Sequence, residues 1–481
     1  MSHATAAPTR TYGFFLNGSW NTHGREDVIT SPFDHSIVAV VCEATRDDVE
    51  TAIQGAVEAF AITRKMSSFQ RSSILRKIAD GIRHRRDEFA RTICQEAGKP
   101  IKVARGEVDR GIYTFEVAAE EASRIYGEYI PLDTLEATAG RWGLVRRFPI
   151  GPVFAITPFN FPLNLVAHKV APAIATGCPL ILKPAPQTPV TSLMLAEVVQ
   201  EAGWPEGALA VMPLSNDDAS LLVTDDRIKL LTFTGSAPVG WLLKSKAGKK
   251  HVTLELGGNA GVIIHSDADL NYAAQRCVAG GFAYGGQTCI SVQRVLVERS
   301  VCEKFTNLLV EGVRKLKIGD PMHEDTDVPP LIRESDAVRA TLWIDEAVQA
   351  GAKVLVGGKR NGSFVDPTVL TNTTADMRVN CAEIFAPVVT VEPYDDFREA
   401  VREINHSVYG LQAGVLTHDA RLIQFAFGEL EVGAVIVGDV PSFRVDQMPY
   451  GGIKDSGLGR EGLRFSIEDM TERKLMVMAV R

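Results

Sequence analysis

Between residues 153 and 256 short apolar runs alternate with longer stretches of helical periodicity. The runs at 153–157, 180–183, 208–212, 228–233 and 252–256 predict strands. Brief apolar runs set between helical patterns fit strands buried on both faces, so a parallel, doubly wound α/β sheet is expected. Such sheets bind ligands at the carboxyl ends of their strands, which is where Asn160, Lys183 and Thr234, Gly235 and Ser236 fall. A second alternating region, about 261–437, carries strand-like runs at 295–297, 354–356, 388–391 and 435–437. Upstream, Ile74, Ile78, Ile82, Phe89 and Ile93 recur at helical spacing. Arg83, His84, Arg85, Arg86 and Asp87 fill the other side, as on a solvated helix face. Two segments, 126–148 and 471–480, read as extended strands outside both regions.

At 481 residues and 45% hydrophobic, the chain supports two or three domains rather than one. A net charge of −8 gives no basic field for nucleic acid or an anionic membrane, which favours small-molecule partners. No apolar run approaches the ~20 residues of a membrane span, and residues 1–10 carry no apolar signal core. A cytoplasmic protein is expected. Seven cysteines, an odd number without a CxxC, do not form a disulfide framework. Cys42, Cys94, Cys178, Cys277, Cys302 and Cys381 sit among apolar or helical residues and read as core. The ten histidines show no metal-ligand spacing, so no metal is implied.

Cys289 has a chemical context. The tetrapeptides Glu255-Leu256-Gly257-Gly258 and Gly286-Gln287-Thr288-Cys289 set a carboxylate 34 positions ahead of a thiol. A thiol attacks a carbonyl as its thiolate, and an acyl-enzyme needs a second proton acceptor to make water a nucleophile. Plainer readings stand beside these. Cys289 could be a buried structural cysteine, and Asn160, between Pro158 and Pro162, a turn residue. Lys169 could be an exposed helix lysine, Glu461 and Arg444 surface residues, and Glu383 an ordinary loop carboxylate.

The motifs gain weight in series: Pro158-Phe159-Asn160-Phe161-Pro162, Lys183-Pro184-Ala185, Phe233-Thr234-Gly235-Ser236 with Gly240, then the two tetrapeptides. Glu383-Ile384-Phe385, Pro449-Tyr450-Gly451-Gly452, Ser456-Gly457 and Gly459-Arg460-Glu461 follow. In this order the chain resembles the aldehyde dehydrogenase superfamily. The resemblance implies the aldehyde dehydrogenase fold, with a Rossmann-like cofactor domain at 1–125 and 149–255 and an α/β catalytic domain at 256–440. It also implies a β-strand oligomerisation arm at 126–148 and 465–481 that pairs with another subunit, and hence a homodimer or homotetramer.

In chemistry the resemblance implies NAD- or NADP-dependent oxidation of a small polar aldehyde to its acid through a cysteine thiohemiacetal and thioester. Cys289 is then the nucleophile and Glu255 the general base. Asn160 and the Cys289 N–H form the oxyanion hole, and Lys169 and Glu461 join a proton relay. Thr157, Lys183 and Pro186 belong to the adenosine end of the cofactor site, with Thr234, Gly235 and Ser236 at the pyrophosphate, where a helix N-terminus favours phosphate. Leu256, Gly257, Glu383 and Phe385 belong to the nicotinamide end. Three positions depart from the family pattern. Pro186 replaces a glutamate that repels a 2′-phosphate, so NADP should be tolerated beside NAD. Ala386 follows Phe385 where glycine is usual, and Tyr450 replaces a common phenylalanine; neither should alter the chemistry. Thr288 stands where an arginine can clamp phosphorylated aldehydes. Phe159, Phe161, Ile290, Phe443 and Arg444 are expected to line the substrate entry. Residues 440–446 look like those of members that oxidise lactaldehyde, glyceraldehyde or phosphonoacetaldehyde. Glu255 favours free acid over acyl transfer to coenzyme A. An acylating semialdehyde dehydrogenase, or a non-catalytic binding or structural protein of this fold, are the alternatives.

Overall fold

Each strand of the first region sends alternate side chains to opposite sides. In a computed structural model, which describes residues 10–480, Val153 and Ala155 of one strand join one apolar core while Phe154 between them joins another. Leu180 and Leu182 divide from Ile181 in the same way. A strand covered on both faces needs this pattern. The readings of residues 1–9 and of the final residue lie outside the described residues.

Five parallel strands, Val153–Ile156, Leu180–Lys183, Leu209–Val211, Leu230–Thr234 and His251–Glu255, form the centre of an eight-stranded sheet. Antiparallel Phe14–Leu16 and Ser19–Asn21 extend one edge, and Gly457–Leu458 closes the other beside His251–Glu255. A seven-stranded sheet follows, in the order Lys353–Val356, Thr368–Thr371, Val388–Tyr394, Val292–Glu298, Ala260–Ile264, Gln412–Leu416, Ala434–Val437. All its pairings are parallel except that of Lys353–Val356 at one edge.

The chain crosses from the first sheet to the second through Leu256, Gly257, Gly258 and Asn259, between His251–Glu255 and Ala260–Ile264. This crossing sets carboxyl ends of the first sheet against the amino ends of the second. It also explains the glycines: a methyl on Gly257 would run into the Glu383 carboxylate, and one on Gly258 into the Cys289 carbonyl.

The two segments outside the pattern meet each other within one chain. Thr471–Ala479 runs antiparallel to Arg141–Pro149 over nine registered pairs, and Glu128–Pro131 adds a third strand. Tyr126, Tyr129, Leu475, Met476, Val477 and Met478 stay exposed on or beside this sheet.

The upstream pattern folds as two helices, Ser68–His84 and Arg86–Ala97, broken at Arg85 (φ −104°, ψ 21°). A break confined to one residue leaves Ile74, Ile78, Ile82, Phe89 and Ile93 in a common core. The three arginines of the charge run are paired: Arg83 with Asp80 and Glu116, Arg85 with Glu88 and Glu197, Arg86 with Asp109. Cys42, Cys94, Cys178 and Cys277 are buried, but Cys302 is half-buried and Cys381, ending the short helix Arg378–Cys381, is exposed. The core reading fails for Cys381, because a four-residue helix on the surface covers only one of its sides. No described helix is long and apolar enough to cross a membrane.

Candidate active site

A cavity of about 460 Å³ opens where the two sheets face each other. Asn160, just past Val153–Ile156, and Glu255, the last residue of His251–Glu255, reach it from the first sheet. Cys289 reaches it from the turn before Val292–Glu298 in the second. That turn is built by Tyr284, Gly285 and Gly286, with φ of 51°, 63° and 72°. Tyr284 adopts the left-handed conformation that glycine takes freely, held by its hydroxyl donating to the Ala97 carbonyl at 2.7 Å.

Cys289 Sγ lies 2.9 Å from Tyr450 Oη. Burial pushes its thiol up to about 11, against the pull of the Tyr450 hydrogen bond and the Arg444 charge. Asn160 Nδ2 donates to the Gln287 carbonyl at 3.0 Å, in the turn that carries the thiol. Glu255 is 3% exposed, and neither carboxylate oxygen has a hydrogen-bond partner among the described residues. Burial, then the neighbouring Glu461, raise its carboxyl well above the usual range, while Lys169 and Arg444 pull it back. A carboxyl withheld from both water and partners is costly and suits proton transfer.

Behind Glu255 lies a buried ionic cluster. Lys169 pairs with Glu461, and Arg444 Nη2 stands 3.4 Å from the other Glu461 oxygen. Burial works against the Glu461 charge, but Lys169, His168 and Arg444 hold its carboxyl below the ordinary value. The plain readings of Lys169 and Glu461 as surface residues are overturned, since each is 1% exposed. Arg444 is also a cavity residue, with its guanidinium 3.6 Å from the Tyr450 ring centroid.

Thr234, Gly235, Ser236, Leu256, Gly257, Glu383 and Phe385 line the same cavity. Ser236 is the N-cap of Ala237–Lys246, and its side chain makes no cap hydrogen bond. The buried Thr234 hydroxyl has no partner among the described residues either. A free helix N-terminus beside an unsatisfied hydroxyl fits a pyrophosphate. Burial pushes the Glu383 carboxyl up to about 7, although the Gly258 N–H donates to it at 3.0 Å. Phe385, at φ 50°, meets Phe159 edge to face at 6.1 Å.

Phe159, Phe161, Thr288 and Ile290 line the cavity as expected, but Phe443 does not. Its side chain is 44% exposed, while its carbonyl accepts from Gln412 and fixes the loop with the ring turned out. Thr157 and Lys183 are buried on neighbouring strand ends outside the cavity, joined by Thr157 N–H to the Lys183 carbonyl at 3.3 Å. Pro186 lines a separate hollow with Pro184, Asp27 and Glu43. Tyr450, Arg110, Arg276 and Ser442 line the cavity without having been singled out for it. The signal at Tyr450 is its departure from phenylalanine: the added hydroxyl touches the thiol. Arg110 and Arg276 are tied down by Asp446 at 2.7 Å and Asp439 at 2.6 Å, partners 336 and 163 positions away, which no local motif reveals.

A doubly wound sheet whose strand ends face a thiol and an unpaired carboxyl defines an α/β enzyme with the elements of covalent catalysis. The aldehyde dehydrogenase family profile matches residues 20–476, and the chain belongs to that family. It is 43% identical to a 3-sulfolactaldehyde dehydrogenase of Priestia megaterium, over 98% of both chains. It is 40% identical to a lactaldehyde dehydrogenase of Methanococcus aeolicus, over 96% of this chain and 99% of the other. Among solved structures, aldehyde dehydrogenase 21 of Physcomitrella patens, in complex with the reaction product succinate, superposes with a TM-score of 0.97 at 46% identity, covering 98% and 99% of the two chains. The NADP-dependent glyceraldehyde-3-phosphate dehydrogenase of Bacillus halodurans, complexed with NADP, gives 0.95 at 34% identity, covering 98% and 100%.

Proposed function

We propose that this protein oxidises a small aldehyde carrying an anionic group to its carboxylic acid, using NAD or NADP and water rather than coenzyme A. The observation that carries this reading is Glu255, buried, unpartnered and open to the same cavity as Cys289. Cys289 attacks the aldehyde carbon, and Asn160 Nδ2 with the Cys289 N–H supports the oxyanion. Ser236, Thr234, Lys183 and Glu383 would hold the dinucleotide, which when bound supplies the hydride acceptor. Glu255 takes a proton from the water that releases the acyl group from Cys289, and the Lys169–Glu461 pair beside it receives or returns that proton.

An anionic substrate is favoured by Arg444. Its side chain is 8% exposed, it lines the cavity, and its Nε has no partner among the described residues. A buried guanidinium with a spare donor suits a carboxylate or sulfonate. Arg110 and Arg276 line the same space but are each held by a carboxylate, so Arg444 is the cation with a donor to spare. Two of the relatives' names fit such a tail, since sulfolactaldehyde bears a sulfonate and succinate a second carboxylate, whereas lactaldehyde is small and polar but uncharged.

In this reading residues 1–125 and 149–255 bind the cofactor and 256–440 supply the thiol. The arm at 126–148 and 465–481 docks its exposed apolar side on a second copy, giving a homodimer or homotetramer. Seven cysteines without a disulfide support a cytoplasmic home.

The test follows reduced-cofactor absorbance with NAD and NADP in parallel, without coenzyme A, over short aldehydes with and without an anionic tail. Turnover is expected, fastest with anionic tails, and Cys289→Ala should lose at least about a thousandfold. Silence until coenzyme A is added, or preference for long-chain or aromatic aldehydes, would overturn the proposal.

A further inference from the structure

The sulfur of Cys289 has a single hydrogen-bond partner among the described residues, the phenol of Tyr450. That phenol is fixed from behind. Tyr450 exchanges backbone hydrogen bonds with Glu461 in both directions, at 2.9 and 2.6 Å, and is 2% exposed. Its ring packs with Ile290, Leu411 and Cys289, and Arg444 covers a face of it. The hydroxyl therefore stays at the thiol when the cavity fills.

We propose that Tyr450 is a catalytic residue whose hydroxyl donates to Cys289 Sγ as the thiol loses its proton, holding the thiolate ready for the aldehyde. The S–H bond breaks, the proton passes through a water in the shared cavity to Glu255, the negative charge stays on sulfur and the O–H bond of Tyr450 remains intact. The phenol is the donor because its own ionisation is held far above the ordinary value by burial first, then by the adjacent thiol and Glu255. Among the other charges facing the sulfur, Arg444 favours the thiolate, while Glu255 and Glu383 oppose it. Without the phenol, Arg444 is left to offset burial and the charges of Glu383 and Glu255. This proposal rests on the reading of Cys289 as nucleophile. It assigns a task to the one active-site departure from the family pattern that lies against the thiol.

The experiment compares the full-length protein with Tyr450→Phe, which removes one oxygen and installs the residue common in the family. Alkylation of Cys289 by iodoacetamide is followed across pH by mass spectrometry of its peptide, and a melting curve checks the fold. The apparent thiol pKa should rise by about one unit, slowing neutral-pH alkylation about tenfold, with an unchanged melting temperature and an unchanged KM for aldehyde. An unaltered alkylation profile would overturn the proposal. So would a downward shift, which would make the thiol the donor. The readout needs no aldehyde turnover: a shifted profile in a protein that oxidises no aldehyde sinks the proposed function alone, and normal turnover with an unshifted profile sinks this inference alone.

Discussion

Lys99 and Glu107 are fully withdrawn from solvent, and Lys169 and Glu461 nearly so, with side chains 1% and 2% exposed. The two pairs are chemically identical but differ in what surrounds them. Glu107 gives one oxygen to Lys99 and accepts the N–H groups of Leu163 and Asn164 on the other, at 2.9 and 3.1 Å. Lys99 Nζ lies 3.7 Å from the Phe161 ring centroid and 4.7 Å from that of Tyr284. The pair thus ties the loop carrying Asn160 to the turn that presents Cys289. Glu461 instead meets two cations, Lys169 and Arg444, beside a Glu255 that has no hydrogen-bond partner among the described residues. A saturated pair is a brace. A pair beside an unsatisfied acid can move a proton, since a change of charge on one member shifts the next.

The difference is broken open first by Lys99→Met. The substitution leaves Glu107 charged and buried with only two backbone donors, and removing one partner of such a pair costs about 3–5 kcal/mol. Chemical denaturation should show that loss, and activity should fall with it as the Asn160 loop loosens. An unchanged midpoint would mean that Glu107 is satisfied without its lysine.

Lys169→Met comes next and should strike differently. Glu461 keeps Arg444, so stability should drop less than in Lys99→Met. The effect on Glu255 follows from sign: Lys169 lowers the Glu255 pKa, so its loss raises it. A base works deprotonated, so the acid limb of kcat/KM should move to higher pH. A shift of about one to two units predicts a tenfold to hundredfold loss at neutral pH, recovered in part as pH rises. A destabilisation equal to that of Lys99→Met with an unshifted limb would erase the distinction between the pairs.

The same contrast explains what could be read from the chain. Strands such as Leu180–Lys183 announce themselves because burial on both faces leaves an unbroken apolar run. Asn160, Glu255 and Cys289 were legible because each lies in a short motif tied to a backbone turn, and turns are local. For Lys169 and Glu461 the relay suggested by resemblance stands beside an equal surface reading, because burial of a charge depends on a partner 292 positions away. Tyr450 is silent in the sequence for a similar reason: its partner lies 161 positions off, and a hydroxyl differs from phenylalanine only where something stands to receive it. Arg85 broke a helix that periodicity carried through, since a one-residue break with the right rotation preserves the spacing of Ile82 and Phe89. Phe443 pointed outward while Arg444 beside it pointed in, a difference that an irregular loop does not encode by alternation.

The smallest expected effect tests whether burial, rather than pairing, makes the contrast. Arg83 pairs with Asp80 and Glu116, and all three side chains are 42–61% exposed. Water and salt screen such charges, and holding long side chains in one geometry costs entropy, so exposed pairs contribute about 0–1 kcal/mol. Arg83→Ala should therefore leave the denaturation midpoint within that range, and added salt should narrow the gap between variant and parent. Arg83 meets two carboxylates, as many ionic partners as Glu461 has and more than Lys99 has. If its loss nevertheless cost as much as that of Lys99, the count of partners would be setting the energies, and the case for reading Glu255 and its neighbours from their burial would have to be rebuilt on geometry alone.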